Sequence, residues 1–138
     1  MSSAVDAAQR ALAAEHAARW AYGVLTPHAG ERKPLGVPSL LAHQDHRDDL
    51  VDWLRGQNAI PVVARPGYAL PFDVGTPAAA ASLARRVEDG CARQWVHVIQ
   101  AAIGERVLLR VAQTGLADSA GRRVRWGGVP DALPGISP

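Results

Sequence analysis

The sequence predicts an all-α protein, a four-helix bundle with one long crossover between its second and third helices. Four stretches of the chain carry apolar residues at helical spacing. Short connections join the first stretch to the second and the third to the fourth. Between these pairs lies QNAIPVVARPGYALPFDVGTP, residues 57–77, which has four prolines and no helical period. A connection of this length can run along a bundle from one end to the other.

Composition places the chain among ordinary globular proteins. Its 138 residues suffice for one domain, with 48% hydrophobic and 20% charged residues. No apolar run reaches the roughly 20 residues of a membrane span, and no signal peptide is visible. A net charge of +2 does not by itself indicate a nucleic-acid partner. The lone Cys91 rules out an internal disulfide and favours a cytoplasmic location. We expect a bundle over residues 1–126 and a coil tail over 127–138.

Capping and breaking residues set the limits of the first two helices. Ser3 and Asp6 form a plausible N-terminal cap pair, and the helix should run to about Val24. Pro38 suits the first turn of the second helix, which should end near Gly56. The expected buried positions of these two helices are Val5, Ala8, Leu12, Tyr22, Leu40, Leu50, Val51 and Leu54.

The third and fourth helices form a second hairpin. Thr76 is the expected cap and Pro77 the first residue of the third helix, which continues to about Ala102. The fourth begins at Glu105 and should be weaker, because Gly115 and other glycines each cost about 1 kcal/mol of helix propensity relative to alanine. The expected buried positions of the third helix are Leu83, Val87, Cys91, Val98 and Ala102. The apolar residues of the fourth helix are Val107, Leu108, Val111 and Ala112.

Five segments together resemble a known family. They are ALAAEHAARWAYGV, AHQDHRDDLVDWL, PGYALPF, TPAAAASLARRVED and RWGGVPDALPGI, which span nearly the whole chain in this order. The sequence is similar to the small ferritin-like proteins classed as domain of unknown function 4439. The resemblance implies a ferritin-like fold and implies no particular chemistry.

A candidate metal site follows from comparison with di-iron bundles. Those bundles place a Glu on two helices and a Glu-x-x-His pair on each of the other two. Here the first helix offers Glu15, the third Glu88, and the second His43 and His46. At the corresponding depth the fourth helix has Val111, Thr114 and Gly115, with Asp118 one turn further along. Glu15, His43, His46 and Glu88 could therefore bind one ion of iron, zinc or manganese, but not two.

A buried ionic network is the alternative for the same residues. Arg19 follows Glu15 by one helical turn, and Arg47 follows His43 by one turn. Arginine keeps its charge in most surroundings and forms forked pairs with carboxylates. A network of Glu15, Arg47, Glu88 and Arg19 would place fixed cations where a metal otherwise sits. We favour this metal-free state over the single bound ion.

No motif for catalysis is found. The sequence has no phosphate-binding loop, no Gly-x-Ser-x-Gly elbow and no zinc-finger cysteines, and Cys91 fits a small buried apolar side chain. The arginines of GRRVRW, residues 121–126, suit the carboxyl end of a helix better than nucleic acid. We therefore favour a non-catalytic bundle with a degenerate metal site that acts through protein contacts, as a homodimer or with another protein, near Tyr22 and Trp53. The alternative is a mononuclear metalloprotein with redox or hydrolytic activity.

Overall fold

The structure, a computed structural model, describes residues 2–136. It confirms the all-α prediction, because within these residues there are four long helices and no strand. Two short 3₁₀ segments, Thr26–His28 and Gly30–Leu35, connect the first helix to the second. The helices are α1, Ser3–Leu25; α2, Gly36–Gly56; α3, Pro77–Ala101; and α4, Arg106–Arg125. Over the same range no helix has both the length and the apolar character needed to cross a membrane.

The side-chain contacts fix the direction of each helix. Tyr22, near the end of α1, meets Glu88 of α3, and Ala14, midway along α1, meets Cys91, which lies further along α3. The order of these two contacts shows that α3 is antiparallel to α1. The short connection between α1 and α2 makes α2 antiparallel to α1 as well, so α2 and α3 run in the same direction. Since α3 and α4 form a hairpin, the helices run up, down, down and up. Two successive helices that run the same way require a connection as long as the bundle.

The crossover, residues 57–76, lies along the outside of α1. The backbone N–H of Val62 donates to Gln9 Oε1 at 2.8 Å, and the carbonyl of Val62 lies 2.9 Å from Nε2 of His16. Further along, the rings of Tyr68 and Trp20 pack with their centroids 5.6 Å apart. The segment thus follows α1 from its first half towards its end, which accounts for its length.

Helix ends agree with the sequence prediction to within two residues. Thr76 caps α3, with its side-chain oxygen accepting from the backbone N–H of Ala79 at 3.2 Å, and Pro77 follows as the first helical residue. The cap of α1 is Ser2 and not Ser3 as predicted, because the hydroxyl of Ser2 accepts from the backbone N–H of Val5 at 3.1 Å. The last two residues of the expected coil tail lie outside the described residues.

The core consists of two apolar clusters with a polar layer between them. Tyr22 and Trp53 belong to the core and have 0% and 8% of their surface exposed, so they cannot be the docking surface that the sequence suggested. The first cluster includes Ala8, Leu12, Leu50, Leu54, Trp95, Val98, Leu108 and Ala112. The second includes Ala21, Tyr22, Leu25, Val74, Leu83, Ala84 and Trp126. Between them lie the buried polar residues Glu15, His43, His46, Glu88 and Arg122. His46 packs against Trp95 of the first cluster, and Glu88 contacts Tyr22 of the second.

Gly115 makes room for Trp95, so its low helix propensity has a structural reason. A Cβ atom at position 115 would lie 2.3 Å from Trp95 Cε2, and the indole is fully buried. Gly121 is also on α4. A Cβ atom there would lie 3.6 Å from Nη1 of Arg125, which is an ordinary van der Waals distance.

Gly115→Ala should therefore destabilise the protein by roughly 1–3 kcal/mol, because Trp95 must move within a packed core. Gly121→Ala is the matched control in the same helix and should stabilise by roughly 0.5–1 kcal/mol through helix propensity alone. Urea unfolding of both variants measures the difference. Stabilisation by both substitutions would show that α4 does not pack on Trp95 through Gly115.

Candidate functional site

The polar layer brings together the four residues that the sequence singled out as metal ligands. Glu15 comes from α1, His43 and His46 from α2, and Glu88 from α3. All four are buried, with 5% or less of their surface exposed. His43 and His46 lie three residues apart and therefore share one face of α2. Charged groups at this depth need partners, because an unpaired buried charge is costly.

His43 bridges the two glutamates. Its Nδ1 contacts Glu15 Oε2, and its Nε2 lies 2.8 Å from Glu88 Oε2. An ionised carboxylate can only accept hydrogen bonds, so each ring nitrogen supplies an N–H. This arrangement holds a doubly protonated, positively charged imidazole between two negative groups.

The pKa shifts in this cluster follow from burial and from the opposite charges. Burial lowers the pKa of His43, but the charge of Glu15 and hydrogen bonds with Cys91 and both glutamates raise it well above its ordinary value. Burial raises the pKa of Glu15, but the charge and hydrogen bond of His43, together with the nearby His46, bring it down to about 2. The pKa of Glu88 is also lowered, because His43 and Arg122 outweigh its burial. At neutral pH the three central groups are therefore all charged.

Arg122 of α4 is the second buried cation, and the sequence analysis missed its role. Its Nε donates to Glu88 Oε1 at 3.2 Å, and only 4% of its surface is exposed. Tyr22 completes the surroundings of Glu88 by donating its hydroxyl to Oε2. Burial and the charge of Glu88 raise the pKa of Tyr22, so the phenol stays a neutral donor. Glu88 thus accepts hydrogen bonds from three side chains.

The two arginines that were expected in the network lie elsewhere. Arg47 pairs with Asp48, with Nη2 to Oδ1 at 2.8 Å. Arg19 is exposed, and its Nε donates to Gln44 at 3.2 Å. Because α2 points both His43 and His46 inward, the residue after His46 is turned to the side of the helix. The cation in the layer comes from α4 instead.

His46 connects the layer to solvent. Its Nε2 lies 3.1 Å from Oδ2 of Asp118, whose side chain is 48% exposed. Asp118 was expected to be one turn too far from the centre, but it reaches His46 at the edge of the layer. The other ring nitrogen, Nδ1, lies 3.8 Å from Glu15 Oε1. Neither of these two atoms has a hydrogen-bond partner in the part of the chain that the structure describes.

Three of the residues have a geometry that could hold one metal ion. Glu15, His43 and His46 each offer a ligand atom, and these atoms lie within 4.8 Å of one another. Glu88 is not part of this group of three and pairs with Arg122. A two-metal centre does not fit, because a pair of divalent ions needs several carboxylates and α4 contributes a fixed cation to the layer. The residues therefore fit at most one ion.

Cys91 is beside the layer but has the properties of a buried apolar residue. Its Sγ lies 3.9 Å from the carbonyl of Ala14, and 3% of the residue is exposed. Burial and the charge of Glu15 raise the pKa of the thiol to about 12. A thiol with this pKa stays protonated and is a poor nucleophile at neutral pH.

Comparison with known proteins gives a family and a solved relative. The profile of the family described as domain of unknown function 4439 matches residues 7–138. A crystal structure of a conserved hypothetical protein, rv2844, from Mycobacterium tuberculosis is 34% identical and superimposes with a TM-score of 0.84. The alignment covers 91% of this chain and 96% of that one. A search of the curated proteins found no match.

Proposed function

The chain belongs to the family described as domain of unknown function 4439, and we propose that this member is a non-catalytic, ferritin-like bundle in which a buried ionic network takes the place of a metal centre. The proposed role is exercised through protein contacts. The lone, unreactive Cys91 is in keeping with a reducing compartment, and the cytoplasm is the proposed location.

Charge balance within the layer is the observation that carries this proposal. Glu15 and Glu88 supply two negative charges, and His43 and Arg122 supply two positive charges in direct contact with them. The carboxylates therefore need no metal ion to neutralise them. An ion bound to His43 would have to displace a proton from a ring nitrogen already hydrogen-bonded to a glutamate. It would also lie close to the fixed positive charge of Arg122.

The space around Glu88 also argues against catalysis. The cavity that reaches it measures about 10 Å³ and is lined in addition by Ser119, Ala92 and Pro134. This volume holds about one water molecule. A substrate would not reach Glu88 through it.

Metal analysis tests the proposal. Protein purified without an affinity tag or chelator should contain less than about a tenth of an equivalent of iron, zinc or manganese, before and after incubation with each ion. Glu15→Gln should leave this content unchanged, because no ion is bound in either form. Close to one equivalent in the wild type, lost in Glu15→Gln, would overturn the metal-free centre.

A mononuclear metal protein is the second candidate. It is supported by the two unpartnered atoms, Glu15 Oε1 and His46 Nδ1, which face each other across 3.8 Å. Glu15, His43 and His46 would hold the ion, with Asp118 behind His46 to orient its ring. A bound ion would supply redox or hydrolytic chemistry. The elemental analysis described above separates this candidate from the first.

Self-association is the proposed form of protein contact. Val37 and Leu41 are one turn apart on α2, and 59% and 49% of their surfaces are exposed. We expect a homodimer through this face, weakened by Leu41→Asp. Sedimentation at several concentrations checks the prediction, and a mass that stays near the 14.6 kDa of one chain would contradict it.

A further inference from the structure

A groove on the surface of α3, away from the ionic layer, is rich in arginine. Its volume is about 490 Å³. We call it the arginine groove and define it by the residues Phe72, Arg85, Arg86, Asp89, Arg93 and Arg123, with Ser82 at its side. Four of these residues are positively charged and one is negatively charged. The ionic layer around His43 uses none of these arginines.

Two of the arginines are held in place by other parts of the protein. Arg85 donates from Nη1 to the carbonyl of Trp126 at 2.8 Å and from Nη2 to Ser82 Oγ at 3.1 Å. Arg123 pairs through Nε with Asp89 Oδ1 at 2.7 Å, which neutralises the one acidic residue of the groove. These contacts fix the walls of the groove before any ligand arrives, and such preorganisation lowers the cost of binding.

The other two arginines are available to a ligand. Arg86 and Arg93 are exposed, and within residues 2–136 neither forms a hydrogen bond or an ion pair. They are seven residues apart on α3 and therefore project from the same side of the helix. Arg32 adds further positive charge at one end, where its guanidinium and that of Arg85 both lie against Gly127.

The main cluster of acidic residues is too far away to balance this charge. Asp45, Asp48, Asp49 and Asp52 are all exposed on α2. Because α1 and α4 each pack against both α2 and α3, α2 lies diagonally across the bundle from α3. The groove therefore faces solvent with an excess of positive charge, and its ligand should be an anion.

We propose that the arginine groove binds a small phosphorylated molecule. Guanidinium groups form paired hydrogen bonds with phosphate oxygens, and Arg86 and Arg93 have this capacity unused. Phe72 lies beside these arginines and offers an apolar surface to the organic part of the ligand. A single-stranded nucleic acid would require a longer basic track with several aromatic side chains, whereas one aromatic residue lines this groove. This inference goes beyond the proposed function and does not depend on it.

Calorimetric titration of the full chain with inorganic pyrophosphate and with ADP tests the proposal. Each probe should bind with one-to-one stoichiometry, and the affinity should fall as sodium chloride is added. Arg86→Ala and Arg93→Ala should each weaken binding of both probes at least tenfold. Arg106→Ala and Arg110→Ala, which remove exposed arginines of α4 outside the groove, should change the affinity less than twofold. Phe72→Ala should lower the affinity for ADP and leave the affinity for pyrophosphate unchanged.

Three results would overturn the proposal. The first is no binding of either probe at millimolar concentration and low salt. The second is an equal loss of affinity in the groove variants and in the α4 controls, since that would indicate general attraction to a basic protein. The third is that a single-stranded oligonucleotide binds the wild type more tightly than ADP does, and that Arg86→Ala and Arg93→Ala lower its affinity. Because these arginines are exposed, circular dichroism should show the wild-type fold in every variant.

Discussion

Replacing Arg122 by alanine is expected to lower the free energy of unfolding by about 3–5 kcal/mol, as removal of one partner from a buried ion pair typically does. Arg122 pairs with Glu88, and both side chains are at least 95% buried. The carboxylate would lose a neighbouring charge and keep its burial. Arg125, three residues later on the same helix, is exposed and provides the control. Arg125→Ala should change the unfolding free energy by no more than about 0.5 kcal/mol.

A double variant distinguishes loss of charge from loss of packing. Arg122→Leu alone should be strongly destabilising, whereas Arg122→Leu combined with Glu88→Gln should recover part of the loss, because no unpaired charge is then buried. Guanidinium unfolding at neutral pH gives the three free energies. If Arg122→Ala were as stable as Arg125→Ala, the ionic layer would not be formed as described.

The protein should lose about 3 kcal/mol of stability as the pH falls through the range in which Glu15 titrates, since a tenfold change in proton affinity corresponds to about 1.4 kcal/mol. The pKa of Glu15 is about 2 in the folded protein and 4.5 for a free side chain. The stabilisation is therefore complete above about pH 4.5 and is lost towards pH 2. The lowered pKa of Glu88 acts in the same direction. The raised pKa of His43 arises from the same ion pair, so it adds no separate contribution to this loss.

Urea unfolding at a series of pH values from 7 to about 3 measures this slope. Glu15→Gln should be less stable at neutral pH and should show a flatter dependence in the acid range. Glu31→Gln, which alters an exposed acid in the connection between α1 and α2, should keep the wild-type slope. A wild-type curve that is flat between pH 5 and pH 3 would contradict the charged state of the layer.

The fold could be predicted because its determinants are local. The spacing of apolar residues predicts the four helices, and Thr76 with Pro77 predicts the start of α3. The prolines of residues 57–77 predict the crossover. The structure has all three features. The start of α1 was displaced by one residue because Ser2 and Ser3 are equally able to cap a helix. One-residue differences of this kind depend on the backbone angles at the helix end.

The candidate site was predictable only in part. Spacing along single helices was enough to select Glu15, His43, His46 and Glu88, since each lies near the apolar face of its own helix. The partner cation depends on contacts between helices, and a small rotation of α2 turns Arg47 away from the centre. A signal for Arg122 did exist in the sequence. Buried positions along α4 and its C-terminal cap residue recur at alternate spacings of four and three residues, namely Leu108, Ala112, Gly115, Ser119, Arg122 and Trp126.

The division of the core into two apolar clusters has a consequence for helix register. Alanine-rich faces such as that of α1 are smooth, so they offer little resistance to a shift of one helix along its neighbour. A shift by one turn, about 5.4 Å, would separate His43 and Arg122 from their glutamates and leave four charges unpaired in the interior. The ionic layer therefore excludes the shifted alignments that the apolar contacts alone would tolerate. It sets the alignment of the four helices along the bundle axis, in addition to its effect on the free energy of unfolding.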